Sequence, residues 1–307
     1  RAMSDLRLDP RTTALVLIDL QHGIVAGTLF PRPGDEVVTV EPFYDSHAAT
    51  IALTGGRHVS VPVEAPDFLP DPARVADVIT DRTRLLIVNT PHNPTGAVYP
   101  RELLEELVAL CRSRGVLILS DEVYDHLVYE GEHVSLRSVA GAEDIALTVS
   151  SAGKAFAVTG WKVGWVTGPA PLVRAARVVK QYLTFTTASP LQHAVAHALD
   201  LGPQVLTDLT DSLQERRDLL VAGLADAGLD VRPSDGTYFV VADAAPLGVP
   251  DALQWCLDLP AAAGVAAVPV SVFCDDPQRM STLVRFAFCK QVPVIEEACR
   301  RLAAFTG

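Results

Sequence analysis

The sequence is short of several things, and each shortage narrows the field. Positive charge is scarce: 25 Lys and Arg stand against 37 Asp and Glu, so the formal charge is 25 − 37 = −12. An acidic surface repels the backbone of a nucleic acid and the anionic face of a membrane, so neither is expected as a main partner. Any phosphate this chain holds must be gripped locally, by a few placed donors. Long apolar runs are missing too, since none approaches the roughly 20 residues that span a bilayer. Near the start only residues 14–18 are apolar throughout, too short a stretch for a signal peptide and without a cleavage pattern. The opening Arg1-Ala2-Met3 reads as a natural start at Met3 behind two extraneous residues. Cysteine is sparse: Cys111, Cys256, Cys274, Cys289 and Cys299 are odd in number and fit no zinc spacing. They are expected to be buried free thiols of a cytoplasmic protein, where the milieu is reducing. The eight histidines, His47, His92 and His126 among them, show no ligand spacing and read as core or surface residues, so no metal site is expected. Repeats and low-complexity tracts are absent.

What is present suits a globular protein with a sizeable core. The chain has 307 residues, 49% apolar and 20% charged, enough for a large domain and a smaller one. Residues 14–18, 84–89, 116–119 and 145–149 read as buried strands, and 36–40 and 59–63 as two further strands. Between two of them, residues 101–114 carry Leu103, Leu104, Leu107, Leu110 and Cys111 at helical spacing, with Gly115 as the C-cap. Strands alternating with helices predict an α/β fold, a mainly parallel sheet flanked by helices. After a long amphipathic helix over 203–227 the texture changes. Short strands at 229–231, 237–241, 266–270 and 283–288 and a helix over 250–257 predict a smaller C-terminal α+β domain. The expected division is an atypical segment at 1–28, a large domain at 29–203 and a small domain at 204–307.

The stretch richest in chemistry is Ser151-Ala152-Gly153-Lys154-Ala155-Phe156, continuing to Thr159-Gly160-Trp161-Lys162. A lysine that acts as a nucleophile must spend time neutral, and burial near other cations disfavours its charged form. Lys154 follows a buried strand, stands among small residues, and has Lys162 further along. This stretch resembles the cofactor-lysine signature of the fold-type-I pyridoxal-phosphate (PLP) aminotransferases of class I and II. Three other stretches agree in order: Asn93-Pro94-Thr95-Gly96, Asp121-Glu122-Val123-Tyr124 and Val284-Arg285-Phe286. Residues 41–46 and Gly236-Thr237-Tyr238-Phe239 are similar to the kynurenine, methionine and N-succinyldiaminopimelate aminotransferases within that family.

The resemblance implies a cofactor, PLP, carried by Lys154 as an aldimine. Lys154 would then move the proton at the substrate α-carbon. It implies Asp121 at the pyridinium nitrogen, Asn93 and Tyr124 at the phenolic oxygen, Tyr44 on the ring face, and Ser151 and Lys162 at the phosphate. Arg285, with Asn93 nearby, would take the substrate carboxylate. The implied partners are an amino acid, a 2-oxo acid and a second copy of the chain in a homodimer. An aromatic or long aliphatic donor fits better than aspartate.

The first residues depart from the pattern. The family's dimer arm and its Gly-rich, phosphate-cradling turn are not visible, and Asp9 to Gln21 resembles the opening strand of isochorismatase-like cysteine hydrolases. The aspartate of that family's catalytic set would be Asp19, but its lysine and cysteine motifs do not follow. Asp19 is therefore read as a leftover. A segment over 14–30, with Gly23 and Gly27, could supply the missing strand and helix, with weaker PLP binding expected. A PLP-dependent β-lyase and a weakly binding or non-catalytic truncated remnant stay open beside the transaminase.

Overall fold

The computed structural model describes residues 13–16 and 34–306. The chain first builds a seven-stranded sheet. Its strands are β1 (Thr13–Val16), β2 (Glu36–Glu41), β3 (Arg57–Pro62), β4 (Thr83–Asn89), β5 (Leu117–Asp121), β6 (Ala146–Ser151) and β7 (Gly164–Thr167). Their spatial order is β1-β7-β6-β5-β4-β2-β3. β2 to β6 all run parallel, and β7 runs antiparallel to both β6 and β1. The helices α1 (Asp45–Leu53), α2 (Pro72–Val78), α3 (Arg101–Arg114), α4 (Ala152–Ala155), α5 (Ala170–Leu183) and α6 (Ser189–Leu199) belong to this half of the chain. Helices on both faces leave no solvated side, so the central strands are buried end to end: every residue of β2 and β6 is buried.

The second half is carried by the long helix α7 (Gln204–Asp226). A four-stranded antiparallel sheet follows, made of β8 (Asp230–Val231), β9 (Phe239–Asp243), β10 (Val268–Pro269) and β11 (Leu283–Ala287) in the order β10-β11-β9-β8. Helices α8 (Ala252–Ala262) and α9 (Val292–Thr306) complete it. The α/β class with a smaller C-terminal α+β part is thus as expected from the pattern.

Local chemistry explains most boundaries. Gly115 ends α3 in the left-handed region at φ 67°, and its N–H reaches the Arg112 carbonyl. Asp71 caps α2 through its side chain and Pro72 follows at the first helical position. Ser151 does the same for the single turn α4, accepting from the Gly153 N–H.

Several features differ from expectation. β7, α1, α4, α5, α6 and α9 went unread, and α8 runs through Pro260 to Ala262 instead of stopping near residue 257. The thiols are all free, but they are not all buried: Cys111 and Cys256 are, Cys274 and Cys299 are half-buried, and Cys289 is exposed. Residues 14–16 of the apolar run at 14–18 lie in β1, while residues 17–33, with Asp19, Gly23 and Gly27, lie outside the described residues.

Candidate active site

In an open parallel sheet the carboxyl ends of the strands share one edge, and ligands bind there. Here β2 leads to Tyr44, β4 ends at Asn89 and leads to Asn93, β5 ends at Asp121 and leads to Tyr124, and β6 ends at Ser151 and leads to Lys154. Four segments far apart in sequence therefore converge. The second sheet adds Arg285 from β11, with Tyr238 and Phe239 from the start of β9. Tyr44, Asn93, Asp121, Tyr124, Ser151, Lys154, Lys162 and Arg285 all line a single cavity of about 240 Å³. These are all eight residues singled out from the sequence. A larger cavity of about 570 Å³ lies on the far side of the Thr95-Gly96 turn, lined by Phe68, Arg232 and Asp235 among others, and contains none of them.

Asp121 is 2% exposed, and its Oδ2 lies 3.2 Å from Nε2 of buried His47. Its Oδ1 accepts from the Val123 N–H at 3.3 Å. Behind it runs a chain of amides. Asn89 donates to the Asp121 carbonyl at 2.9 Å, the Asn93 N–H donates to Asn89 Oδ1 at 2.8 Å, and Arg285 donates to Asn93 Oδ1 at 2.7 Å. The Arg285 guanidinium also stands 4.1 Å from the Phe239 ring centre and 4.6 Å from that of Phe273. Flat aromatic walls and one amide hold the fork in place, leaving its other donors for a carboxylate. Burial pulls Arg285 down from its ordinary value, opposed by the phenols of Tyr124 and Tyr238.

Tyr124 is pushed well above the usual phenol range, first by burial and then by Tyr238 beside it, so it stays a protonated donor. The two rings meet edge to face at 5.2 Å. Lys154 is half-buried, and its Nζ lies 2.6 Å from the Tyr238 hydroxyl. At the open end, Thr159 donates to the Gly153 carbonyl at 3.0 Å, and Lys162 sits exposed on a left-handed residue at φ 56°.

Three members of the site were not read from the sequence. His47 was taken for a core or surface residue. It is buried, but it is the partner of Asp121, placed one helical turn beyond Tyr44 so that both face the same way. Asn89 gave no signal beyond ending a strand before a proline loop. Tyr238 lay in a recognised stretch without an assigned task. Among the described residues no cluster of His, Cys, Asp and Glu could hold a metal ion, and no helix is long and apolar enough to cross a membrane.

An amine, a buried carboxylate and an arginine fork converge at the strand ends, and the sequence places the same set in a known class. The chain matches the family Aminotransferase class I and II over residues 3–302, and it belongs to that family, whose members use PLP to move amino groups between amino acids and 2-oxo acids. Among its relatives is the probable N-succinyldiaminopimelate aminotransferase of Mycobacterium tuberculosis, 42% identical over 96% of this chain and 77% of that protein. The methionine aminotransferase of Escherichia coli is 38% identical over 90% of this chain and 71% of that one. The solved structure of the N-succinyldiaminopimelate aminotransferase from Mycobacterium tuberculosis superposes with a TM-score of 0.93 at 41% identity, over 97% of this chain and 78% of that one.

Proposed function

We propose that this chain binds PLP in the 240 Å³ cavity and transfers an amino group from an L-amino acid to a 2-oxo acid, in the cytoplasm and as a homodimer. One observation carries the reading: eight residues from segments as far apart as Tyr44 and Arg285 line one small cavity at the carboxyl edge of the sheet. The donor set fits the cofactor. There is an amine for an aldehyde, a buried carboxylate for a ring nitrogen, an amide and a phenol for a phenolic oxygen, and a hydroxyl with an ammonium for a phosphate.

When bound, PLP supplies an electron sink for negative charge at the substrate α-carbon and a carrier for the amino group. The rest falls to the protein. Asp121, held by His47 and the Val123 N–H, would keep a proton on the ring nitrogen. Asn93 and the protonated Tyr124 would hold the phenolic oxygen. Ser151 and Lys162 would hold the phosphate, and Tyr44 would lie against the ring. Arg285 takes the α-carboxylate of the substrate, which fixes which bond at the α-carbon faces Lys154. The Lys154 amine takes that proton and returns it as general base and acid.

A titration tests this. Purified protein mixed with PLP should develop a visible absorbance band that changes when an amino donor is added, with release of the matching 2-oxo acid. Lys154→Ala should lose the band. If Lys154→Ala keeps it unchanged, Lys154 is not the amine and the reading fails.

A further inference from the structure

None of the roles above uses Tyr238, yet it is the side chain bonded to Lys154. The Tyr238 hydroxyl stands 2.6 Å from Nζ, and the amine lies 5.0 Å from the centre of the Tyr238 ring and 5.5 Å from that of Tyr124. The backbone goes to some length to bring it there. Thr237, fully buried and β-branched, is held at φ 69°, a region such residues avoid. Strain of this kind persists only when the surroundings over-determine it. Here they do: the Thr237 N–H donates to the Leu127 carbonyl at 2.9 Å, its carbonyl accepts from the Tyr129 hydroxyl, and the Gly236 N–H donates to the Gly96 carbonyl at 2.8 Å. A Cβ on Gly236 would come within 2.8 Å of Pro91 Cβ and 2.9 Å of the Leu127 carbonyl, so no larger residue fits without a shift.

We propose that the Tyr238 hydroxyl is the positioning residue for the Lys154 amine, holding it toward the cavity whenever it is not engaged with an aldehyde. This rests on Lys154 being the reacting amine. The chemistry of the partner supports it. An amine that serves as base and then acid alternates between two protonation states. A carboxylate beside it would favour the ammonium throughout, and an apolar wall would leave a polar group unpaired. A phenol accepts from the ammonium and donates to the neutral amine, so the contact survives the proton's departure and return. Edge-on packing of Tyr124 against Tyr238 holds the phenol ring itself.

The test is made on the full chain without added cofactor, so it does not depend on activity. Lysines are labelled with acetic anhydride across a pH series, and labelling at Lys154 and Lys290 is read separately by peptide mass spectrometry. Hydrogen bonds to charged groups are the stronger kind, so losing the phenol destabilises the ammonium more than the amine. Tyr238→Phe should therefore move the Lys154 profile to lower pH by about half to one unit, the size of one such bond, and leave exposed Lys290 unmoved. Tyr238→Leu, which also removes the hydroxyl, should move it the same way and serves if the Phe variant does not fold. An unmoved Lys154 profile in either protein overturns the proposal. A Lys154→Ala protein that keeps its PLP band would instead sink the functional reading, so the two failures are told apart.

Discussion

At the scale of single residues, the site rests on groups whose charge is decided by burial, and His92 shows how. It is 1% exposed, in the loop that carries Asn93, and its Nδ1 lies 2.7 Å from the Thr95 hydroxyl. Burial, and then the neighbouring His47, push it down to about 3 from its ordinary 6.5. The unfolded chain therefore takes up a proton at a pH where the folded chain refuses it. The stability this neutral ring contributes is whole above about 6.5 and is lost as pH falls toward about 3, at about 1.4 kcal/mol per unit. Urea melts at about pH 6 and about pH 4 should show that loss, and His92→Gln should flatten it by roughly 1 kcal/mol per unit. An equal slope in both proteins would mean that His92 is not held neutral. The same loop joins Asn93 to Arg285, so acid that loosens it should also weaken the grip on a substrate carboxylate.

At the scale of elements, α3 shows what pattern can and cannot tell. Its limits, Arg101 to Arg114, and its cap at Gly115 were legible because helical spacing and a left-handed glycine are local signals. The depth of each position was not. Leu110 belongs to the apolar spacing yet is only half-buried, while Val108, outside the residues first counted, is fully buried. Leu104, 0% exposed in the core under β4 and β5, should cost about 2–5 kcal/mol when cut to Ala. Leu110→Ala should cost less than half of that by chemical denaturation, and parity between the two would contradict the packing described here. The site follows the same logic. Lys154 stood out because it follows a buried apolar run among small residues, whereas Asp121 was placed through resemblance. Arg285 was placed through resemblance alone, for its bond to Asn93 crosses 192 positions of sequence that no local signal spans. His47 and Tyr238 were not legible as functional residues. The first needs the packing of α1 against the end of β5, and the second needs the turn at Thr237. β7 was missed because it is four residues long and begins just after the lysine stretch.

At the scale of the whole molecule, the two halves share their cores. Val270 and Met280, from the second half, are buried with the residues around α3, while Tyr124 and Leu127, from the first, are buried with α7, β9 and α9. We propose a division near residue 204, at the start of α7, between a large and a small domain that interlock through these exchanged side chains. The outer face of α5 and the chain after it carry the remaining question. Val173, Ala176 and Lys180 of α5 face inward, but Val178 is 50% exposed, Tyr182 81%, Leu183 53% and Phe185 76%. Val178 and Tyr182 are four apart and so neighbours on the helix surface, and Leu183 and Phe185 follow directly. Scattered exposed apolar residues are ordinary, but a contiguous run is the kind of surface that another chain covers, and we propose that it is a contact between copies. A second copy is the occupant that the proposed homodimer requires. Neither Tyr182 nor Phe185 lines the cavity at Lys154, so replacing both should separate association from cofactor binding. In sedimentation velocity the parent should run as a dimer, and Tyr182→Asp combined with Phe185→Asp should run mainly as a monomer. If the parent is a monomer, or the double variant still sediments as a dimer, this face is not the contact.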